Sequence, residues 1–213
     1  MASNGRNMPE SRPAGTRLAP QAGTVRWIAC LALFLMIVGA RWWMIGNYGS
    51  DVPWLDQWDA QAESMFKPYH DGTLTAASWF GPHNEHRILF TRILTFGLML
   101  MNGQWDPRLE MAANAVLYAF VVCGLFMILS RDRSPRFMLV LTAVLAVIST
   151  FPFGATNTLL GFQSQFYFLA GFSFVAMYTL LKSRTGSLYW FGGVLSGGAA
   201  LFSMGSGFMA PLV

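Results

Sequence analysis

The sequence predicts an all-α fold: a polytopic transmembrane helical bundle with a large extracytoplasmic first loop carrying interfacial helices. Three observations predict it. Apolar residues make up 54% of the 213 and charged residues only 11%, a balance foreign to ordinary soluble domains. The apolar residues fall in long runs, several of them near the roughly 20 residues needed to cross a hydrocarbon core of about 30 Å. Between the first two full-length runs, residues 47–108 collect seven of the ten acidic residues, all three histidines and four of the eight tryptophans. The formal net charge of +4 would point to nucleic acid in a soluble chain. Here the basic residues sit in short segments between apolar runs, which marks topology, and no nucleic-acid partner is expected. Cys30 and Cys123 both lie inside apolar runs and read as small core residues, not as a disulfide framework or a thiolate metal site.

Residues 1–24 hold Gly, Pro, Ser and Ala with Arg6, Arg12 and Arg17. They have too little apolar surface to offset the entropy of ordering, so a disordered cytoplasmic tail is expected. Residues 25–213 form one transmembrane domain. Its first span is 27–46, where Arg41 precedes Trp42 and Trp43, as for a charged side chain snorkelling to an aromatic interface belt. Val38-Gly39-Ala40 also resembles a signal-peptide cleavage site. The long tail before it and the apolar residues after it favour an uncleaved anchor.

Further apolar runs lie at 88–101, 109–129, 137–153, 166–181 and 188–213. If all crossed the membrane from a cytoplasmic N-terminus, the RDRSPR loop at 131–136 and the loop holding Lys182 and Arg184 would both lie outside. That contradicts the preference of Lys and Arg for cytoplasmic loops twice. Residues 88–101 resolve the conflict. They give only about 21 Å of helix, they include Arg92, and Arg87, Thr91 and Thr95 recur at a spacing of four. The segment therefore reads as an amphipathic helix in the outer interface. Residues 47–108 become one extracytoplasmic loop, 154–165 faces the same side, and the spans are 27–46, 109–130, 137–153, 166–181 and 188–209. Gly192, Gly193, Gly197 and Gly198 give the last span a small-residue face, for a dimer seam or for packing within its own bundle. The chain ends on Ala-Pro-Leu-Val directly after an apolar run, as a fragment of a longer protein would.

Three segments carry candidate chemistry. In WLDQWDAQAESMF (residues 54–66), Asp56, Asp59 and Glu63 are three and four apart, and share a face if the segment is helical. Such a face can supply a general base, bind a divalent cation or remain solvated. Trp54 and Trp58 interleave with the acids and offer planar surfaces to sugar rings, although an interfacial belt accounts for them equally. In PHNEHR (residues 82–87), His83, Glu85 and His86 could ligate a metal, but their spacing is not the i, i+4 histidine pair of a helical zinc site; a set of Asp56, Asp59, Glu63 and His83 is the other candidate. Arg87 and His86 at a helix N-terminus suit a phosphate better, with Glu85 orienting either. In GATNTLLGFQSQF (residues 154–166), the amides of Asn157, Gln163 and Gln165 suit a hydroxyl-rich ligand, or a polar helix cap.

This order, one span, an acidic loop opening on WLDQW, an interfacial helix after PHNEHR and then spans interrupted by GFQSQF, resembles the N-terminal half of the bacterial GT-C superfamily of integral-membrane glycosyltransferases. It is similar in outline to the aminoarabinose and protein O-mannosyl transferases over residues 25–210. The resemblance implies a bacterial cytoplasmic membrane, a polyprenyl-phosphate-linked sugar donor and a cell-envelope glycan, lipid or protein acceptor approached from outside. It also implies an early acidic loop residue as catalytic base or metal-associated group, here Asp56, with Asp51 in reserve. The family's Asp-Glu pair is Asp56-Gln57 in this chain, so Asp59 becomes the candidate second acid. The family's Lys-Pro-Pro-like lead into the interfacial helix is absent, so phosphate binding by Arg87 rests on chemistry alone. A divalent cation is the one cofactor left open. A transporter or flippase of lipid-linked saccharide, and a non-catalytic assembly subunit, are the competing readings. The first would require ionisable groups within the spans.

Overall fold

The computed structural model describes residues 19–207, with side chains from residue 23. Residues 1–18 and 208–213, and with them most of the expected tail and the end of the fifth span, lie outside the described residues. The described residues contain no strand, only an isolated bridge between His83 and His86. The chain forms α1 (Ala19–Tyr48), a π-helix (Trp58–Phe66) running into α2 (Lys67–His70), α3 (Ala76–Phe80), α4 (Leu89–Asn102) and α5 (Pro107–Leu129). It continues through α6 (Pro135–Thr150), α7 (Ala155–Thr158), α8 (Ser164–Lys182) and α9 (Leu188–Leu201).

Four stretches are long and apolar enough to cross a membrane: Gly23–Tyr48, Pro107–Leu129, Pro135–Thr158 and Gly161–Lys182. They match four of the five expected spans, and this is a membrane protein by length and composition. Two boundaries differ. Helix α1 begins at Ala19, inside the expected tail. Helix α9 is only 14 residues long, about 21 Å, and ends in a turn at Phe202 and a 3₁₀ turn at 205–207. The expected fifth span, 188–209, is thus not among the described stretches long enough to cross.

The helix starts are written locally. Asp106 Oδ1 accepts from the N–H groups of Arg108 and Leu109 at 2.9 and 3.1 Å, with Pro107 in the first turn of α5. Ser134 and Ser187 cap α6 and α9 in the same way. Helices α1, α5 and α6 meet around buried Leu33, Ile37, Ala119, Phe126 and Met138, where Ala29, Cys30 and Cys123 allow close approach. Both cysteines are free and Cys123 is buried, as expected of small core residues. In lipid such contacts stabilise by close packing, not by the hydrophobic effect. Gly193 lies against α8, where a Cβ would meet Thr179 and Leu180, so this part of the glycine face packs within its own bundle.

Side-chain contacts fix which ends coincide. Arg26 Nη2 donates to the Met127 carbonyl at 2.5 Å and Arg131 Nη1 to the Tyr178 hydroxyl at 2.7 Å. The start of α1, the 130–134 loop and the end of α8 therefore share one, basic end. At the other end Trp42 Nε1 donates to the Ala112 carbonyl at 3.1 Å and Arg108 Nε to the Gly49 carbonyl at 3.0 Å. Asn114 Nδ2 reaches the Gly161 carbonyl there at 2.6 Å. The segment between α1 and α5 leaves and returns at this second end, beside the break between α7 and α8.

Helix α4 is amphipathic with its polar face turned inward. Thr91, Arg92 and Thr95 are buried while Ile93, Leu100 and Met101 are exposed. The reason is partners: Thr91 meets Ser164 at 2.8 Å, and Thr95 accepts from Gln61 at 2.7 Å. Arg92 Nη1 donates to the carbonyls of Ser78, Trp79 and Gly81 at 3.0, 3.2 and 2.6 Å. Burial pushes the Arg92 guanidinium below its ordinary value, and those carbonyls hold its charge.

Candidate functional site

The Asp106 cap starts α5 so that Glu110 and, one turn later, Asn114 point into the bundle, both only 2% exposed. Opposite them the π-helix supplies Gln61 and the position just before it supplies Gln57, each 1% exposed. Its i→i+5 hydrogen bonding makes a turn wider than that of an α-helix, and Gln61 and Met65, four apart, are buried with Gln57 on the same side. Glu110 Oε2 accepts from Gln57 Nε2 at 3.2 Å and Gln61 Nε2 at 3.0 Å, while Oε1 accepts from Trp105 Nε1 at 2.9 Å. Gln57 also donates to Gln61 Oε1 at 3.1 Å and its own Oε1 accepts from the Trp54 N–H at 3.2 Å. Among the described residues no Lys, Arg or His lies within ion-pairing distance of Glu110. Gly161 closes the cluster, since a Cβ there would stand 2.5 Å from Glu110 Oε2 and 3.0 Å from Gln57 Nε2.

Above this floor the three segments singled out in the sequence converge. Asp56, its side chain 54% exposed, presents Oδ2 at 3.7 Å from His83 Nε2. The His83 ring stands edge-on to Phe162, centroids 5.3 Å apart. Leu55, immediately before Asp56, has φ of 49°, a left-handed conformation costly for a branched side chain. Trp54 and Trp58 are about half exposed. Trp54 and Gln57 line a cavity of about 370 Å³ with Tyr48, Val52, Met111 and Leu159. Gln163 and buried Gln165 each keep an amide oxygen without a protein partner. Asn157 is exposed, and its carbonyl accepts from the Tyr167 hydroxyl at 3.3 Å.

Other expected residues stand elsewhere. Asp51 pairs with Arg108 at 3.3 Å. Asp59 and Glu63 are exposed, and Glu63 lines a separate cavity of about 840 Å³ with Lys67, Tyr69, His70 and Trp105. Among the described residues no three His, Cys, Asp or Glu side chains gather as a metal site; of Asp56, Asp59, Glu63 and His83, Asp56 and His83 come within ion-pairing distance of one another. The expected phosphate site at the start of α4 also changes. Helix α4 begins at Leu89, whose N–H donates to the Phe202 carbonyl at 2.9 Å. His86 Nδ1 accepts from the Gly205 N–H at 3.1 Å, and exposed Arg87 gives Nη1 to the Phe80 carbonyl at 2.7 Å. With Nδ1 as acceptor, a neutral His86 carries its proton on Nε2. Glu85 is exposed.

Arg41 does not snorkel. It is 8% exposed inside the bundle, its Cζ lies 3.7 Å from the Tyr118 ring centroid, and Nη1 donates to the Tyr167 hydroxyl at 3.0 Å. Tyr118 and Tyr167 come from α5 and α8, so tertiary packing supplies a cation–π partner that local sequence does not reveal. No protein-family model, curated protein or solved structure matches the chain.

Proposed function

We propose that this chain carries the extracytoplasmic chemistry of a membrane glycosyltransferase, in which a sugar moves from a polyprenyl-phosphate donor to a cell-envelope acceptor. The observation that carries the reading is the water-facing Asp56 opposite His83, beside half-exposed tryptophans and above a buried floor that ties WLDQW to the GFQSQF turn. Asp56 takes the proton of the acceptor hydroxyl as that oxygen bonds to the anomeric carbon. The bond from that carbon to the phosphate oxygen breaks, and its electron pair leaves with the phosphate. His86 Nε2–H and the outer face of Arg87 are the donors nearest in sequence to receive that charge. The preference of Lys and Arg for cytoplasmic loops supports a cytoplasmic N-terminus, with the Asp56 end outside a bacterial inner membrane.

The test is Asp56→Asn in membranes that accumulate the protein, supplied with labelled polyprenyl-phosphate sugars. Transfer into envelope material is expected to fall by roughly 10²–10⁴-fold, the worth of a general base, with membrane insertion unchanged. Full transfer by a normally inserted variant removes Asp56 from the chemistry.

Arg41 favours a second reading, a transporter of an anionic, lipid-linked solute, because a buried intramembrane cation facing the bundle interior marks ion and substrate paths. Under that reading Arg41→Met stops solute movement into proteoliposomes while Asp56→Asn does not. The opposite pattern leaves the transferase.

A further inference from the structure

Toward the end remote from Asp56, helices α5 and α8 meet where Val121 stands against Gly171 and leave a groove beside that contact. Between them runs an apolar cavity of about 320 Å³ bounded by Val121, Gly124, Phe168, Gly171 and Phe172, with Tyr167 at its inner end. It shares Leu125, Ile128 and Phe174 with a second cavity of about 790 Å³, whose rim holds Arg131, Asp132, Arg133 and Lys182. The two adjoin at these shared residues, and together they make a slot with apolar walls toward Tyr167 and a basic rim at the other end. The rim carries three cations against one carboxylate. Arg131 Nη1 is held by the Tyr178 hydroxyl at 2.7 Å, its Nε stands 3.6 Å from Asp132, and the Arg133 guanidinium lies 5.5 Å over the Phe137 ring. Lys182 is exposed with no carboxylate in ion-pairing distance among the described residues.

From this we infer that the α5–α8 slot is a binding site for one anionic glycerophospholipid of the leaflet facing the basic loops. The phosphate sits among Arg131, Arg133 and Lys182, and one acyl chain lies along Gly124 and Gly171. Length selects this occupant. From Leu117 to Leu129 the slot follows α5 for about 18 Å at 1.5 Å per residue, close to the half-thickness of a hydrocarbon core of roughly 30 Å. That length suits an acyl chain and is too short for a long polyisoprenoid. Charge selects the headgroup, because basic pockets between spanning helices hold anionic lipid heads whereas a zwitterionic head gains little there. The site is independent of sugar transfer and lies at the opposite end of the bundle.

The test uses the whole chain, taken in mild detergent from vesicles of equal phosphatidylcholine and phosphatidylglycerol, with retained lipid counted by native mass spectrometry. One phosphatidylglycerol is expected to be retained over phosphatidylcholine by about tenfold. The triple variant Arg131→Gln, Arg133→Gln, Lys182→Gln is expected to lose that preference. Gly124→Leu enters the slot from a position where a Cβ meets nothing within 4 Å; with unchanged thermal stability in detergent as the check on its fold, it is expected to lose the retained lipid itself. Equal retention of the two lipids by the unmodified protein overturns the site, as does a preference that survives the triple variant or an adduct that survives Gly124→Leu. A long-chain polyprenyl phosphate that displaces phosphatidylglycerol at equal mole fraction also overturns it, and gives the slot to an isoprenoid instead.

Discussion

Glu110 shows what one buried residue does for this end of the molecule. Its carboxylate is met by Gln57, Gln61 and Trp105, all N–H donors from the segment that joins α1 to α5. Glu110→Ala removes the acceptor of all three; Gln57 and Gln61 each keep one partner, Gln61 and Thr95 respectively, and each buried N–H left unsatisfied costs about 1–3 kcal/mol. The loss should fall on the connecting segment and not on the bundle. Hydrogen exchange is expected to quicken at least tenfold across the π-helix while α1 and α5 keep their protection; unchanged exchange there would show that the carboxylate holds nothing. Gly161→Ala attacks the same floor from the other side by pressing a methyl group onto Glu110 and Gln57, and should give the same exchange pattern. Neither substitution touches Asp56, so a transfer assay of both separates holding the loop from doing the chemistry.

Helix α4 makes the corresponding case for an element. It stays in place because its polar stripe has inward partners, and Arg92 is the strongest of them, closing the carbonyls at the end of α3. Arg92→Met keeps most of the side-chain volume but removes the donor, so residues 76–81 are expected to lose amide-exchange protection and gain protease sensitivity. Arg92→Lys, one point donor in place of a fork, should recover part of both; equal protection in all three proteins would free α3 from Arg92. The sequence contained the short length of α4 and the four-residue recurrence of Arg87, Thr91 and Thr95, and so the existence of a polar face. It could not reveal which way that face turns, because Gln61 and Ser164, which decide it, lie 34 and 73 residues from their partners. Arg41 misleads for the same reason: Trp42 and Trp43 are adjacent, whereas Tyr118 and Tyr167 are not. The four full-length spans were legible because about 20 apolar residues leave few alternatives. Glu110 was not, since an acid four residues after an Asp-Pro helix start reads as ordinary dipole complementation.

At the scale of the whole molecule, the contacts sort the loops into two ends before any membrane is invoked. Residues 73 and 157 belong to one end and residues 134 and 185 to the other, and all four positions are exposed. With Cys30 and Cys123 replaced by Ala, single cysteines at Thr73, Asn157, Ser134 and Thr185 therefore report both the pairing and its sidedness. Ser164 would not serve, because it is buried against Thr91 and a thiol there is unreachable from either side. An impermeant maleimide on intact cells is expected to label positions 73 and 157, with 134 and 185 labelled only after permeabilisation. If 73 and 157 report opposite sides, the four-span arrangement fails and Gly161 cannot lie against Glu110 in the membrane. If the pairs hold but their sides are exchanged, the bundle stands while Asp56 faces the cytoplasm. An acceptor in the envelope could not then reach it, so this simple labelling pattern tests the transferase reading before any sugar is identified.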